Sequence, residues 1–298
     1  MVISYRLGDR SAAWLSAHRR LLQNVQRHPF IPHANRSSSN HTPDANLKLP
    51  AYIPYIGPHY FSYRPRVLCY GINQNLSQHA PWTTHWVASW SADPDLAIDR
   101  LNRAASQGGP LPIKPYAEGF IPLAALIIMK GWLRNEEHKL PELADEVLAV
   151  TNFVKFSTFK DASSSSIPSC WWRECGVRYV ELEIGVLRPD IIIAFGQKTF
   201  AELQRVLGQM TDSHFTAELF NCRFPARMAS IKSRSLSSKE SAMWANEILP
   251  LVQRIGRPKH GSFHKWKINQ YPRYFLDLAF LPRRYANPER KATCSQES

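Results

Sequence analysis

The chain has 298 residues, of which 44% are hydrophobic and 20% charged, and this composition excludes an intrinsically disordered protein. Its 37 Lys and Arg against 24 Asp and Glu give a formal net charge of +13, which favours a polyanionic partner such as nucleic acid or an acidic membrane. The longest apolar stretch, Phe120 to Met129, is about half as long as a membrane-spanning helix and contains Pro122, so no transmembrane segment is predicted.

The cysteines indicate whether a metal site or disulfides are expected, and the first 30 residues indicate whether the protein is exported. The five cysteines are odd in number and form no CxxC pair, so we expect neither a disulfide framework nor a zinc or iron–sulfur site. No metal and no organic cofactor is expected. The first 30 residues hold no long apolar stretch ahead of a small-residue cleavage site, which predicts a cytoplasmic protein.

The first predicted elements are a helix and a proline-rich segment. Residues 11–27 have apolar side chains at helical spacing behind Ser11, a plausible cap. Residues 29–65 are rich in Pro and Ser and predict irregular structure, an ordered wrap or a flexible loop. We therefore expect three parts: an N-terminal helix and wrap at 1–63, an α/β domain at 64–255 and a basic C-terminal extension at 256–298.

Short apolar runs then alternate with helical patterns, which is typical of βαβ units around a parallel sheet. The runs are rich in Val, Ile, Leu or Phe and are bounded by polar residues or Gly, as buried parallel strands are. The predicted fold is a three-layer α/β/α sandwich with a central four-stranded parallel sheet. The predicted strands are Arg66 to Tyr70, Val147 to Val154, Asp190 to Phe195 and Arg227 to Ile231; the predicted helices are 95–106, 117–133, 174–187, 197–208 and 237–255, with a further strand or helix at Phe275 to Leu281.

Polar residues follow the predicted strands. Ligands of parallel α/β sheets bind beyond the carboxyl ends of the strands, so these residues are the candidate site. They are Gly71-Ile72-Asn73-Gln74-Asn75 after the first strand, Thr151-Asn152 near the end of the second, Gly196-Gln197-Lys198-Thr199 after the third and Lys232-Ser233-Arg234-Ser235-Leu236-Ser237 after the fourth.

This set resembles the uracil-DNA glycosylase superfamily, particularly the branch of thymine- and mismatch-specific glycosylases, whose first motif reads Gly-Ile-Asn-Pro-Gly. Gly71-Ile72-Asn73 matches that motif, and Gln74-Asn75 stand where the family has Pro-Gly. Lys232 to Ser237 is similar to the family's His-Pro-Ser-Pro-Leu-Ser loop but lacks the His. Thr151 to Lys155 is similar to the strand that carries a base-reading Asn. The resemblance covers residues 64–254.

The resemblance implies a DNA glycosylase that hydrolyses the N-glycosidic bond of a flipped-out base and leaves an abasic site. Asn73 would orient the attacking water through its amide oxygen, although an amide is no useful base near neutral pH. Asn152 would face the Watson–Crick edge of the base. Lys232, in the His position, would stabilise the leaving base or contact phosphate; its attack on the sugar to form a Schiff base is an alternative.

The remaining candidate residues would hold the base and the DNA. Leu236 resembles the wedge that enters the stack where the base has left. Trp86 stands near the family's base-stacking aromatic, with Trp82 and His85 as competitors. The other base-binding candidates are Gly71, Ile72, Gln74 and Asn75, and the other DNA-binding candidates are Ser233, Arg234, Ser235 and Ser237.

Asn75 bears on the choice of base. Uracil-specific members have a bulky Tyr there, and the smaller Asn leaves room for a 5-substituent. A 5-modified pyrimidine, such as hydroxymethylcytosine or its glucosylated form, is therefore a candidate substrate beside uracil. Such bases mark some phage genomes, which suggests a role in antiviral defence. The expected partner is duplex DNA with a modified or damaged base. We expect the protein to be a monomer and not to bind a membrane.

Structural interpretations compete with each role. Asn73 and Asn75 also fit turn residues, Asn152 fits a partner of a buried backbone group, and Lys232 with Arg234 fit solvated loop charges. Trp86 equally suits a core position, and His260-Gly261-Ser262 is an alternative match to His-Pro-Ser. Two other functions stay open: a non-catalytic DNA-binding or damage-sensing protein on the same fold, and a hydrolase of nucleosides or nucleotides.

Overall fold

A computed structural model describes residues 12–28, 54–57, 59–72, 120–133, 147–155, 167, 169–210, 216–222, 236–251 and 272–284. The chain divides into two compact units. The first comprises Met1–Lys114 and Glu146–Asn221, and the second comprises Pro115–Asp145 and Cys222–Ser298. The predicted helix at 95–106 and the predicted strand Arg227 to Ile231 lie outside the described residues.

The fold is mixed α/β, with helices around a mostly parallel sheet of five strands. In space the strands follow the order β1-β3-β2-β4-β5. Along the chain they are β1 (Tyr55–Ile56), β2 (Val67–Gly71), β3 (Leu148–Asn152), β4 (Ile191–Phe195) and β5 (Glu218–Cys222). The helices are α1 (Ala12–Arg27), α2 (Phe120–Leu133), α3 (Ser169–Cys175), α4 (Glu181–Leu187), α5 (Gln197–Gln209), α6 (Ser238–Met243) and α7 (Pro272–Arg284).

Strand β2 lies at the centre of the sheet. It runs parallel to β3 on one side and to β4 on the other, so that Val67 pairs with both Leu148 and Ile191. All five residues of β2 and of β4 are buried. A strand that is covered on both faces needs apolar side chains at every position, and this explains why these runs show no alternation. The predicted strands at these three places are confirmed to within a residue or two at most ends.

The described sheet has five strands, whereas the sequence predicted four. Strand β1 has only two residues and pairs antiparallel with β3, so it left no pattern to detect. In β5 the buried Phe220 and Cys222 alternate with the half-buried Asn221. This period of two is typical of a strand with one covered face, and the search for continuous apolar runs missed it.

Helix α1 packs on the first unit through Trp14, Ala17, Leu21 and Val25, all buried. The indole Nε1 of Trp14 also donates a hydrogen bond to the Ile56 backbone oxygen at 2.9 Å. Helices α3 and α4 are joined by a π-helical turn, Gly176–Val180. The helix predicted at 174–187 is therefore the second half of a longer helical segment that starts at Ser169.

The second unit is built around α2 and α7. Every residue of α2 from Leu123 to Met129 is buried, with 0% exposure. Gly131 in α2 faces the Ala279 backbone oxygen of α7 so closely that a side chain would collide with it. The segment Phe275 to Leu281, predicted as a strand or a helix, is helical. Among the helices that the structure describes, none combines the length and the apolarity that a membrane crossing requires.

We expect Gly131→Ala to destabilise the second unit. The added methyl group would force apart the backbones of α2 and α7, and overpacking of this kind costs about 1–3 kcal/mol. Urea unfolding followed by circular dichroism measures the loss.

Gly185→Ala is the matched control. Gly185 lies in α4, and a methyl group there meets no atom within 4 Å. Alanine is the better helix former by about 0.5–1 kcal/mol, so this variant should be as stable as the parent or more so. Equal losses in both variants would contradict the close packing of α2 on α7.

Candidate functional site

Gly71 and Asn152 are paired neighbours at the carboxyl ends of β2 and β3. The amide oxygen of Asn152 lies directly over Gly71, and any side chain at position 71 would overlap it. Within the described residues this amide makes no hydrogen bond. Glycine is therefore required at position 71 because the Asn152 amide occupies the space that a side chain would need.

The end of β4 joins the same edge of the sheet. Gly196 follows β4 with a φ of 109°, a backbone conformation that favours glycine. A methyl group built at Gly196 would lie 3.6 Å from Cδ1 of Ile72, which follows β2. The connection that leaves β2 leads to β3 on one side, and the connection that leaves β4 leads to β5 on the other, so the chain changes direction between the ends of β2 and β4. Ligands of α/β sheets bind at such a switch point.

The first turn of α5 adds polar groups to this edge. Gly196 offers no side-chain cap, so the first backbone N–H groups of α5 have no capping partner from it. The Lys198 ammonium lies 4.8 Å from the ring centroid of the buried Trp172. Asn221 of β5 donates a hydrogen bond to Gln197 Oε1 at 2.6 Å. The N-terminus of α5 is thus fixed between α3 and β5, with one exposed cation beside it.

A buried ion pair lies just behind the site. Lys155 has 0% exposure, and its Nζ contacts Glu183 Oε1 at 2.6 Å and Oε2 at 2.7 Å. The same ammonium donates to Thr151 Oγ1 at 2.7 Å, and the Tyr70 hydroxyl donates to Glu183 Oε2 at 3.1 Å. Three oxygen atoms therefore lie within hydrogen-bonding distance of the ammonium. We call Tyr70, Thr151, Lys155 and Glu183 the buried polar cluster.

The buried polar cluster holds the two residues that precede the site residues. Tyr70 comes before Gly71, Thr151 comes before Asn152, and Tyr70 and Thr151 are themselves paired across β2 and β3. Side chains alternate along a strand, so Tyr70 and Thr151 point to one face while Asn152 points to the other. The cluster therefore fixes the two strand ends without occupying the site.

Burial shapes the protonation of these groups. It lowers the pKa of Lys155 and raises the pKa of Glu183, while the attraction between the two charges opposes both shifts. Burial also raises the pKa of the Cys175 thiol, whose sulfur accepts from the Lys155 backbone N–H, to about 12. A thiol with such a pKa stays protonated near neutral pH, so Cys175 is no nucleophile here.

The structure brings together four of the residues named from the sequence: Gly71, Ile72, Asn152 and Gly196. The roles assigned to the site residues stay predictions, and eight further candidates lie outside the described residues. They are Asn73, Gln74, Asn75, Trp86, Lys232, Ser233, Arg234 and Ser235.

Leu236 and Ser237 belong to the second unit. Leu236 is half-buried. Ser237 caps α6: its Oγ accepts from the Glu240 N–H at 3.3 Å and donates to Glu240 Oε2 at 3.0 Å, while its own N–H donates to that oxygen at 2.9 Å. The hydroxyl of Ser237 thus has a structural partner, and its DNA-binding role stays a prediction.

Sequence reasoning missed the partners of Lys155 and the contact between Asn221 and Gln197. Lys155 was noted only as part of the run that carries Asn152, and Glu183 lies 28 residues away, inside a helix. The one available signal was a charged residue at the end of an otherwise apolar strand, which needs a buried partner. In the described part of the chain, His, Cys, Asp and Glu form no group of three or more that would hold a metal ion.

We expect Lys155→Met to destabilise the protein by about 3–5 kcal/mol, because it leaves the Glu183 carboxylate buried without its cation. In this variant the folded-state pKa of Glu183 lies further above its unfolded value. Its contribution to stability is therefore present at low pH and lost as the pH rises through the folded-state pKa, so the deficit should shrink on acidification. Urea unfolding at a series of pH values measures this.

Lys155→Met/Glu183→Gln is the matched variant. The neutral amide keeps an acceptor for the Tyr70 hydroxyl and removes the uncompensated charge. This double variant should recover most of the lost stability, and its stability should depend less on pH. A double variant as unstable as Lys155→Met alone would show that the ion pair is not the source of the loss.

Comparisons with known proteins assign the chain to no family. No family model, no curated protein and no solved structure matches the chain. The resemblance to the uracil-DNA glycosylase superfamily therefore rests on the motifs quoted above. Any function has to be argued from the site itself.

Proposed function

We propose that the protein is a monofunctional DNA glycosylase, on a three-layer α/β/α sandwich around the mostly parallel sheet. Its reaction is hydrolysis of the N-glycosidic bond of a pyrimidine nucleotide in DNA. Water adds to the anomeric carbon, the bond to the base breaks, and the base leaves with the bonding electrons and takes up a proton. Free base and an abasic site are the products, and no metal or organic cofactor takes part.

One observation carries this proposal: the amide of Asn152 lies against Gly71, two residues before Asn73. Strand pairing continues past these residues, because the Phe153 N–H donates to the Gly71 oxygen and the Val154 N–H donates to the Ile72 oxygen, both at 2.9 Å. An amide for the base and an amide for the water would then enter the same edge of the sheet from adjacent strands.

The amide of Asn152 suits a pyrimidine. Its donor and acceptor match the N3 hydrogen and O4 of uracil, or in the flipped orientation the N3 and N4 amine of cytosine. This versatility fits a substrate of the cytosine or the uracil type. Together with the small Asn75, it supports a 5-modified pyrimidine such as hydroxymethylcytosine or its glucosylated form, and with it a role in defence against phage.

The same edge also offers groups for the DNA backbone. The α5 N-terminus favours anions, because its first N–H groups and the helix dipole both present positive charge there. The exposed Lys198 stands in that first turn. The net charge of +13 adds a general attraction to a polyanion, which would steepen the salt dependence of binding.

Base release tests the proposal directly. DNAs that contain uracil, a thymine mismatch, hydroxymethylcytosine or glucosylated hydroxymethylcytosine are incubated with the protein, and mass spectrometry identifies the released base. We expect release from at least one of them, with alkali-labile breaks at the same positions. Asn152→Ala should slow release about 10- to 100-fold, and Asn73→Ala by about 100-fold, because each removes an amide that orients a reacting group.

Gln204→Ala is the amide control, since Gln204 is exposed on α5. It should release base at the parent rate. Binding to these DNAs without release would favour the damage-sensing alternative, and salt-insensitive activity on free nucleosides would favour the nucleoside hydrolase. Full activity of Asn73→Ala would refute the assigned water-holding role.

Gly71→Ala separates the site from the fold. The methyl group would displace the Asn152 amide, which is the end of a side chain and can rotate away. We therefore expect the free energy of unfolding to change by less than about 1 kcal/mol, while base release falls about as far as in Asn152→Ala. Denaturant unfolding and the release assay on the same preparation measure both. Unchanged release in a folded Gly71→Ala variant would contradict the role of Asn152.

A further inference from the structure

Arginines surround Asp190 where β2 and β4 begin, at the opposite end of the sheet from the candidate site. Arg66 directly precedes β2, and Asp190 directly precedes β4. The Arg66 backbone N–H donates to Asp190 Oδ2 at 2.7 Å, and Arg64 Nη1 forms an ion pair with Oδ1. The rise along β2 places this end about 16 Å from Gly71.

Positive charge exceeds negative charge in this cluster. The side chains of Arg64 and Arg66 thus stand beside one carboxylate, and Arg66 Nη1 also donates to the Arg188 backbone oxygen at 3.5 Å. Burial, and then the neighbouring Arg64, lower the pKa of Arg66, while Asp190 opposes them; Arg188 lowers it further. The Arg64 side chain is 65% exposed, so it is free to turn from Asp190 toward a ligand.

Two buried donors in the cluster have no acceptor. Tyr60 has 0% exposure, and its hydroxyl makes no hydrogen bond in the described structure; the same holds for Nε of Arg66. The Tyr60 ring centroid lies 5.2 Å from that of Phe61, whose ring centroid lies 5.6 Å from the Arg66 guanidinium. Burial raises the pKa of Tyr60, and the charges of Arg66, Asp190 and Arg64 act on that pKa to a smaller extent. Buried polar groups normally have a partner, so two donors left open beside an excess of positive charge call for an anion.

We propose that this cluster binds a phosphate group, held by the guanidinium groups of Arg64 and Arg66 and by the Tyr60 hydroxyl. Guanidinium forks match the geometry of phosphate oxygens, and the tetrahedral oxygens of one phosphate can accept from several donors at once. The Arg66 guanidinium lies 5.6 Å from the Phe61 ring centroid, which limits its orientations. Asp190 keeps the Arg66 backbone N–H, and Arg64 is the group that changes partner.

The phosphate has two possible sources with the same chemistry: a free nucleotide, or the backbone of a nucleic acid strand. The site stands apart from the glycosylase proposal, because its residues lie at the other end of the sheet. Its success or failure therefore leaves the base-release experiments untouched.

Calorimetric titration tests the site. Inorganic phosphate, AMP and a thymidine oligonucleotide without terminal phosphates are titrated separately at one fixed ionic strength into the parent and into Arg64→Gln, Tyr60→Phe and Arg173→Gln. Arg173→Gln is the control for lost charge, since Arg173 is exposed on α3. Arg64 is also largely exposed, so its variant should fold, and circular dichroism checks this.

We expect saturable binding that Arg64→Gln weakens about tenfold and Arg173→Gln leaves unchanged. Tyr60→Phe should weaken binding severalfold yet keep or raise the thermal midpoint of the free protein, because it removes a buried hydroxyl without a partner. If phosphate and AMP bind to the parent, the ligand is a free nucleotide. If only the oligonucleotide binds, and Arg64→Gln weakens that binding, the ligand is a nucleic acid strand.

Three results would overturn the proposal. One is the absence of saturable binding to all three probes. Another is an equal effect of Arg64→Gln and Arg173→Gln, which would indicate general charge attraction. The third is a Tyr60→Phe variant that loses stability and binds as the parent does, since an ordered water would then be the partner of the hydroxyl.

Discussion

A lysine ammonium and a glutamate carboxylate meet without solvent behind the ends of the two strands that form the candidate site. Each charge would be costly to bury alone, and the Lys155–Glu183 pair is tolerated because the two charges are in contact and Thr151 accepts a further hydrogen bond from the ammonium. That requirement fixes α4 relative to β3. It also fixes Thr151 and Tyr70, the residues directly before Asn152 and Gly71. The geometry of the site is thus tied to the electrostatics of the core.

The central strands were predictable because a strand that is buried on both faces is a continuous run of apolar residues in the sequence. Runs such as Ile191–Phe195 contain no polar residue, and the polar residues that follow them marked the carboxyl edge. The sequence alone therefore predicts Gly71, Ile72 and Asn152 at one edge of the sheet, where the strand pairing places them. The buried ion pair was not predictable, because Glu183 lies inside a helix whose pattern gives no sign of its partner. Strand β1 was missed because a strand of two residues is too short to show an alternation of buried and exposed side chains.

The two ends of the sheet differ in chemistry. The carboxyl end presents an uncharged amide, two glycines and the first turn of a helix with the exposed Lys198, so it offers hydrogen bonds and one positive charge. The amino end presents guanidinium groups around a single carboxylate, which suit charge and little else. In both places a backbone feature decides what the side chains can do: Gly71 admits the amide, and the Arg66 N–H holds Asp190 aside.

The pairing of β1 with β3 has a further consequence. A sheet that ended at β3 would present a row of open backbone groups, and such an edge recruits strands from other molecules. Tyr55–Ile56 covers that edge with the shortest possible strand, and the Trp14 indole takes up the Ile56 oxygen on its outer side. Through this hydrogen bond the first helix holds the short strand that occupies part of the edge of β3.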